Sequence, residues 1–219
     1  MNDKETKTTE EIKNKIKDWD ESYRVYEPTI LGVWAYKSHR NVLNGVLDEL
    51  NFNKDISLLD VGCGKCSTTI FFKEKGFVNT IGIDLADSGL KICECQGLKI
   101  GRDVFKIDAT DTPYDDQSFD LVFGEGILEH YKDFMPFVRE MCRIAKDYII
   151  IIQPNHYSIY GRIMKIGWLL LQRKSGGVQE LTYKLSQFHE AFGSLGFYLD
   201  RVKFTPLREN AVIVYRRRK

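Results

Sequence analysis

LLDVGCGKC, residues 58–66, joins a short apolar run to a glycine turn and carries an acid at the hinge. Leu58, Leu59 and Val61, set between polar flanks, read as a strand buried in a parallel sheet. Gly62 and Gly64 follow at once, and residues without a Cβ let the backbone turn sharply and bring its peptide groups against a ligand. Ser67 to Lys75 then reads as a helix. Strand, turn and helix together form a pocket for a nucleotide-like ligand.

Three ligand classes use such a turn, and neighbouring residues separate them. A phosphate-gripping P-loop needs a glycine five residues before a Gly-Lys-Ser/Thr end, but Gly64-Lys65 is followed by Cys66 and preceded at that distance by Leu59. A dinucleotide fingerprint wants glycines at the first, third and sixth places, and the sixth is Ser67. Asp60 at the mouth of the turn would repel a pyrophosphate and favour an ammonium group. A ligand joining an amino acid to an adenosine fits better. TIGIDLA, residues 80–86, is a second strand ending in Asp84, an acid able to accept from both ribose hydroxyls, with Leu85 beside it as an apolar surface for a flat base. Val104 to Ile107 ends at Asp108-Ala109, placed for an adenine amine. FDLVFGEG, residues 119–126, opens into a loop with Glu125, Glu129 and His130. Four successive strand ends thus carry an acid, where open α/β sheets bind ligands.

On these motifs, with DAT at 108–110, DQSFDLVFGEGILEHY at 116–131 and FHEAFGSLGFYLDRV at 188–202, the chain resembles the class I S-adenosylmethionine-dependent methyltransferases, closest to the small-molecule group often labelled type 11. The resemblance covers roughly Leu58 onward. It implies a Rossmann-like α/β fold: a mostly parallel seven-stranded sheet with helices on both faces, a closing antiparallel strand, an N-terminal helical cap and a helical insertion after the fifth strand. It also implies S-adenosylmethionine as cofactor, with Asp60 and Gly62 at its methionine end, Asp84 on the ribose, Leu85 on the adenine face, and Asp108 with the Ala109 backbone at the adenine edge. Cys63, Gly64 and Glu125 complete the expected cofactor set. Cys66 stands where the family turn often has a third glycine, an exchange expected to hold the loop away from the cofactor or weaken its grip.

With 219 residues and 43% hydrophobic content the chain can bury one good core, so a single domain is expected, divided as a cap over 1–50, a cofactor core over 51–153, an insertion over 154–184 and a closing part over 185–219. A net charge of +1 gives no general case for nucleic-acid binding. The first twenty residues are charged and the apolar runs near Tyr148 and Ile166 too short to span a bilayer, which places the protein in the cytoplasm. Of five cysteines, Cys63, Cys66, Cys93 and Cys95 have metal-ligand spacing, but a metal on Cys63 would compete with the cofactor, so free reduced thiols and no metal are expected, with Cys142 in the core.

Ile12 and Ile16 mark one stripe of a marginal helix with fraying ends. Trp19, Tyr23, Tyr26, Trp34 and Tyr36 form an aromatic stretch, read chiefly as core, with Tyr23 and Tyr26 as candidates for a lid over the cofactor. A helix is predicted over 38–50, another over 135–145, a fifth strand over 147–153, a last helix over 185–195, and paired strands over 199–204 and 211–215. The insertion over 157–174 spaces Ile159, Ile163, Ile166 and Leu170 on one helical face near Arg162, Lys165, Arg173 and Lys174. It reads first as a lid packed on the domain and second as a basic amphipathic helix making peripheral membrane contact. Its apolar roof points to a small, partly apolar acceptor. The closing Arg216 to Lys219 run reads as solvated.

Transfer from a sulfonium needs alignment more than it needs a base. His130 and His156 are the candidate bases if the acceptor carries a proton, and His189 reads as structural or part of a lid. Two alternatives remain: a cofactor-binding regulator without transfer, and a dinucleotide-dependent oxidoreductase. Acceptor atom and oligomeric state are not legible.

Overall fold

The structure is a computed structural model and describes residues 3–25, 30–163, 165–167, 178 and 180–218. Seven strands form one sheet: β1 (Leu58–Val61), β2 (Thr80–Asp84), β3 (Val104–Lys106), β4 (Phe119–Glu125), β5 (Ala145–Pro154), β6 (Phe197–Phe204) and β7 (Asn210–Arg217). Their order is β3-β2-β1-β4-β5-β7-β6, and β7 runs antiparallel to both of its neighbours while β1 to β5 pair in parallel. The expected sheet is therefore present, its closing strand slotted between the fifth and sixth. The helices are α1 (Asp3–Val25), α2 (Ile30–Leu50), α3 (Ser67–Glu74), α4 (Asp87–Cys95), α5 (Met135–Ile144) and α6 (Leu185–Ser194).

The pleat explains why the central strands are apolar almost throughout. Leu59, Ile149 and Ile151 face one side with Val138 and Met141 of α5 and Phe188 and Phe192 of α6, while Leu58, Ile150 and Ile152 face the other with Leu43 and Leu47 of α2 and Phe72 of α3. Each fully buried side chain of this size contributes about 1.5–3 kcal/mol. Because β2 and β3 lie to one side of β1 while β4 and β5 lie to the other, the carboxyl ends of β1 and β4 open a crevice at the switch in strand order.

Several boundaries differ from the expected ones. The helix predicted over 38–50 begins at Ile30, since its aromatic and β-branched first turns are weak helix formers whose signal is lost without tertiary contacts. α1 runs 23 residues, longer than the stripe that Ile12 and Ile16 mark, and is pinned where Asp20 Oδ1 accepts from the Ser88 N–H at 2.8 Å and the Ser88 hydroxyl at 2.7 Å. α4 was not expected, its glycine and paired cysteines obscuring the apolar stripe of Leu90 and Cys93. Residues 159–163 and 165–167 are helical, but Ile159, Ile163 and Ile166 are exposed, which overturns the packed-lid reading for this half of the insertion. Residues 168–177, Tyr26 and the side chain of Trp34 lie outside the described residues. Arg217 is not a solvated tail residue: it sits in β7 and donates to the Cys142 carbonyl at 2.6 Å. Among the described residues no helix is long and apolar enough to cross a membrane.

Candidate functional site

The glycine turn leaves β1 at the crevice, and Asp84 holds its shape. One Asp84 oxygen accepts from the Gly64 N–H at 2.8 Å and the other from the Ala86 N–H at 2.7 Å, so a single carboxylate clamps the turn to the end of β2. Gly64 has φ of +51°, and a Cβ there would meet the Tyr23 hydroxyl at 2.5 Å. Cys66, standing where the family turn often has a third glycine, takes the left-handed conformation itself at φ 61°. Beneath the turn lies a disulfide between Cys66 and Cys93, Cα atoms 5.5 Å apart, with the Cys63 thiol buried 3.7 Å from the Cys66 sulfur. The expectation of free thiols fails here because α4, unseen in the sequence, carries Cys93 back under the turn; Cys63, Cys95 and Cys142 remain free. Cys142 is buried as expected.

On the β2–β3 side of the turn, Asp84, Leu85, Asp108 and Ala109 line one slot, as the sequence predicted, with Ile12 and Ile16 of α1 across from them. Its volume is about 60 Å³. Asp108 Oδ1 accepts from the Thr110 N–H at 2.8 Å, which fixes the carboxylate at the strand end.

On the β4 side a larger recess of about 370 Å³ contains Asp60, Glu125 and Glu129. Asp60 is 2% exposed, and burial pushes it up to about 7 against the 2.6 Å hydrogen bond it accepts from Thr69. Glu125 has the opposite fate. Burial would raise it, but Arg40 at 2.8 Å, His39 at 3.2 Å and the Thr68 hydroxyl at 2.9 Å bring it down to about 2. Glu129 is buried, its Oε2 meets no hydrogen-bond partner among the described residues, and burial with the Glu180 charge pushes it up to about 8.

The two candidate bases separate. His130 lines the recess, with the Trp19 ring edge-on at 4.8 Å. His156 does not line it; its Nε2 lies 3.3 Å from Glu180, which does. Tyr23 is half-buried over the turn, and Trp19, Tyr23 and Tyr36, among the described members of the aromatic stretch, line the recess. His189 is structural, bonding the Tyr215 hydroxyl at 2.7 Å. Sequence reasoning missed Arg40, Thr68 and Glu180. Arg40 carried no local signal, since its partner Glu125 lies 85 residues away; a lone arginine on an apolar helix face is the only hint.

Residues 59–151 match the methyltransferase domain family. Ajmaline N-methyltransferase of Rauvolfia serpentina is 38% identical over 109 residues, 47% of this chain and 37% of that protein. Chloroplastic tocopherol O-methyltransferase of Arabidopsis thaliana is 33% identical over 105 residues, 46% of this chain and 30% of that protein. The matched stretch thus spans about a third of the length of these curated relatives. Among solved structures, magnesium protoporphyrin IX methyltransferase from Synechocystis PCC 6803 with bound S-adenosylhomocysteine superposes with a TM-score of 0.69 at 18% identity, over 99% of this chain and 100% of that one.

Proposed function

We propose that the chain, whose residues 59–151 match the methyltransferase domain family, moves a methyl group from S-adenosylmethionine to a small, partly apolar acceptor. The observation that carries this reading is a complementary pair beside the turn. Arg40 is buried with Nε and Nη1 unpartnered among the described residues, two donors suited to a carboxylate. Asp60 in the same recess suits an ammonium group, so the recess matches the two ends of an amino acid. Asp84 would take the ribose, and Leu85 with Ala109 the base. When bound, the cofactor supplies a methyl group already electrophilic on its sulfonium. The protein's own work is then to hold the acceptor in line and exclude water, which supplies on the order of 7–11 kcal/mol in favourable systems.

Calorimetric titration with S-adenosylmethionine and S-adenosylhomocysteine, with NAD as control, tests the reading. Asp84→Asn keeps a side chain of the same size at the turn, and is expected to weaken both sulfur ligands at least tenfold, from the loss of about 1.5–3 kcal/mol in a charged hydrogen bond. Binding of NAD in their place would favour the oxidoreductase alternative, and sulfur-ligand binding without turnover on any acceptor would favour the regulator.

The exposed Ile159, Ile163 and Ile166, next to exposed Arg162 and half-buried Lys165, support a peripheral contact with an anionic membrane surface. Co-sedimentation with phosphatidylserine vesicles, reduced in Ile163→Ser/Ile166→Ser, is the expected result.

A further inference from the structure

We propose that the acceptor is a small amine, taken up as its ammonium ion against Glu129 with the Trp19, Tyr23 and Tyr36 rings as walls. The inference rests on the methyl-transfer reading and names the substrate class of the same site.

The carboxylates of the recess differ in what they lack. Asp60 already accepts from Thr69, and Glu125 is saturated by Arg40, His39 and Thr68. Glu180 has His156 at 3.3 Å. Glu129 is 4% exposed, yet its Oε2 meets no hydrogen-bond partner among the described residues. A buried acceptor left unsatisfied costs about 1–3 kcal/mol, more if charged, so a donor is what this position asks for. Charge decides which donor. Among the described residues the recess carries Asp60, Glu125, Glu129 and Glu180 with the cations Arg40 and Lys65, and Arg40 pairs through Nη2 with Glu125. A phenol could satisfy Oε2, but its phenolate would form beside the Glu180 and Glu125 charges, whereas an ammonium is attracted to them. The aromatic walls favour the same sign: Trp19 stacks on Tyr23 at 5.4 Å beside the recess, and the Tyr36 ring already carries the Arg40 guanidinium 4.6 Å over its centroid.

The proton balance follows from the groups that face Glu129, which are Glu180, Glu125, Gln153 and His130. Burial first, and the Glu180 charge next, keep the Glu129 carboxyl protonated at neutral pH in the free protein. An arriving ammonium ion pairs with the carboxylate, so the carboxyl proton leaves to solvent. Before the nitrogen can act as a nucleophile it must lose one N–H proton. The electron pair of that bond stays on nitrogen and the proton passes to Glu129.

The test is titration calorimetry of the S-adenosylhomocysteine-loaded protein at pH 7 with 1,2,3,4-tetrahydroisoquinoline, in two buffers of different ionisation enthalpy so that proton release is counted. The phenol of similar size, 5,6,7,8-tetrahydro-2-naphthol, is the comparator. Expected are saturable amine binding, release of close to one proton per amine, and for Glu129→Gln at least tenfold weaker binding with no proton released while the S-adenosylhomocysteine affinity stays within threefold. Tighter binding of the naphthol or no amine binding would overturn the amine assignment while leaving methyl transfer standing. A folded protein that binds no S-adenosylhomocysteine would remove the methyl-transfer reading and this one with it.

Discussion

Replacing Arg40 by leucine strips Glu125 of its nearest full cation while leaving the carboxylate half-buried. At 2.8 Å and an effective dielectric of about 20, the attraction between the two groups is about 6 kcal/mol. Desolvation offsets part of it, and breaking such a pair from one side typically costs about 3–5 kcal/mol because the remaining charge is left uncompensated. For a chain of this size each kcal/mol shifts the midpoint by about 2–4 °C, so Arg40→Leu should melt roughly 6–20 °C below the wild type by calorimetry. Removing both charges in Arg40→Leu/Glu125→Leu should restore at least about 2 kcal/mol of that loss, since an apolar pair needs no counter-charge. The reasoning fails if the single variant lies within about 1 kcal/mol of wild type in urea unfolding, or if the double variant is no more stable than the single one.

The disulfide and the buried acids yield two further expectations. The Cys66–Cys93 bridge closes a loop of sequence separation 27, worth about 3.5 kcal/mol on the chain-entropy account, so Cys93→Ser should lower the melting midpoint by about 7–14 °C and a phosphine reductant should do the same to the wild type alone. Asp60 and Glu129 have folded-state values of about 7 and about 8, above their unfolded ones, so the folded protein keeps protons that the unfolded chain has released. Stability should therefore fall as pH rises from about 4.5 to about 8. Glu125, held down to about 2, works the other way: its contribution is complete above about 4.5 and is lost as pH falls toward 2. A maximum near about pH 4.5 should appear in thermal melts, and Glu129→Gln should flatten the alkaline limb.

How much of this could be read in the chain depended on whether the signal was local. Leu58 to Val61 followed by Gly62 and Gly64 is written in consecutive residues, as are the acids at Asp84 and Asp108, and the structure puts each where the strand ends predict. The salt bridge between Arg40 and Glu125 and the bridge between Cys66 and Cys93 join distant segments, and no periodicity announces such partners. α4 fell between the two. Its residues DSGLKICEC include weak helix formers, and it is held by the Asp20 contact with Ser88 and by Gly89, where a Cβ would lie 2.9 Å from the Gly64 carbonyl oxygen. The insertion misled for another reason: the isoleucine spacing gave a helix face correctly but could not say whether anything covered it.

α1 rests on α4 and lines the slot beside Asp84 with Ile12 and Ile16. Trp19 and Tyr23 of the same helix line the acceptor recess as well. One helix is thus a shared wall, so a change in how α1 is seated, such as loss of the Asp20–Ser88 contact, should alter the affinities of both ligands together, through a segment rather than through each other.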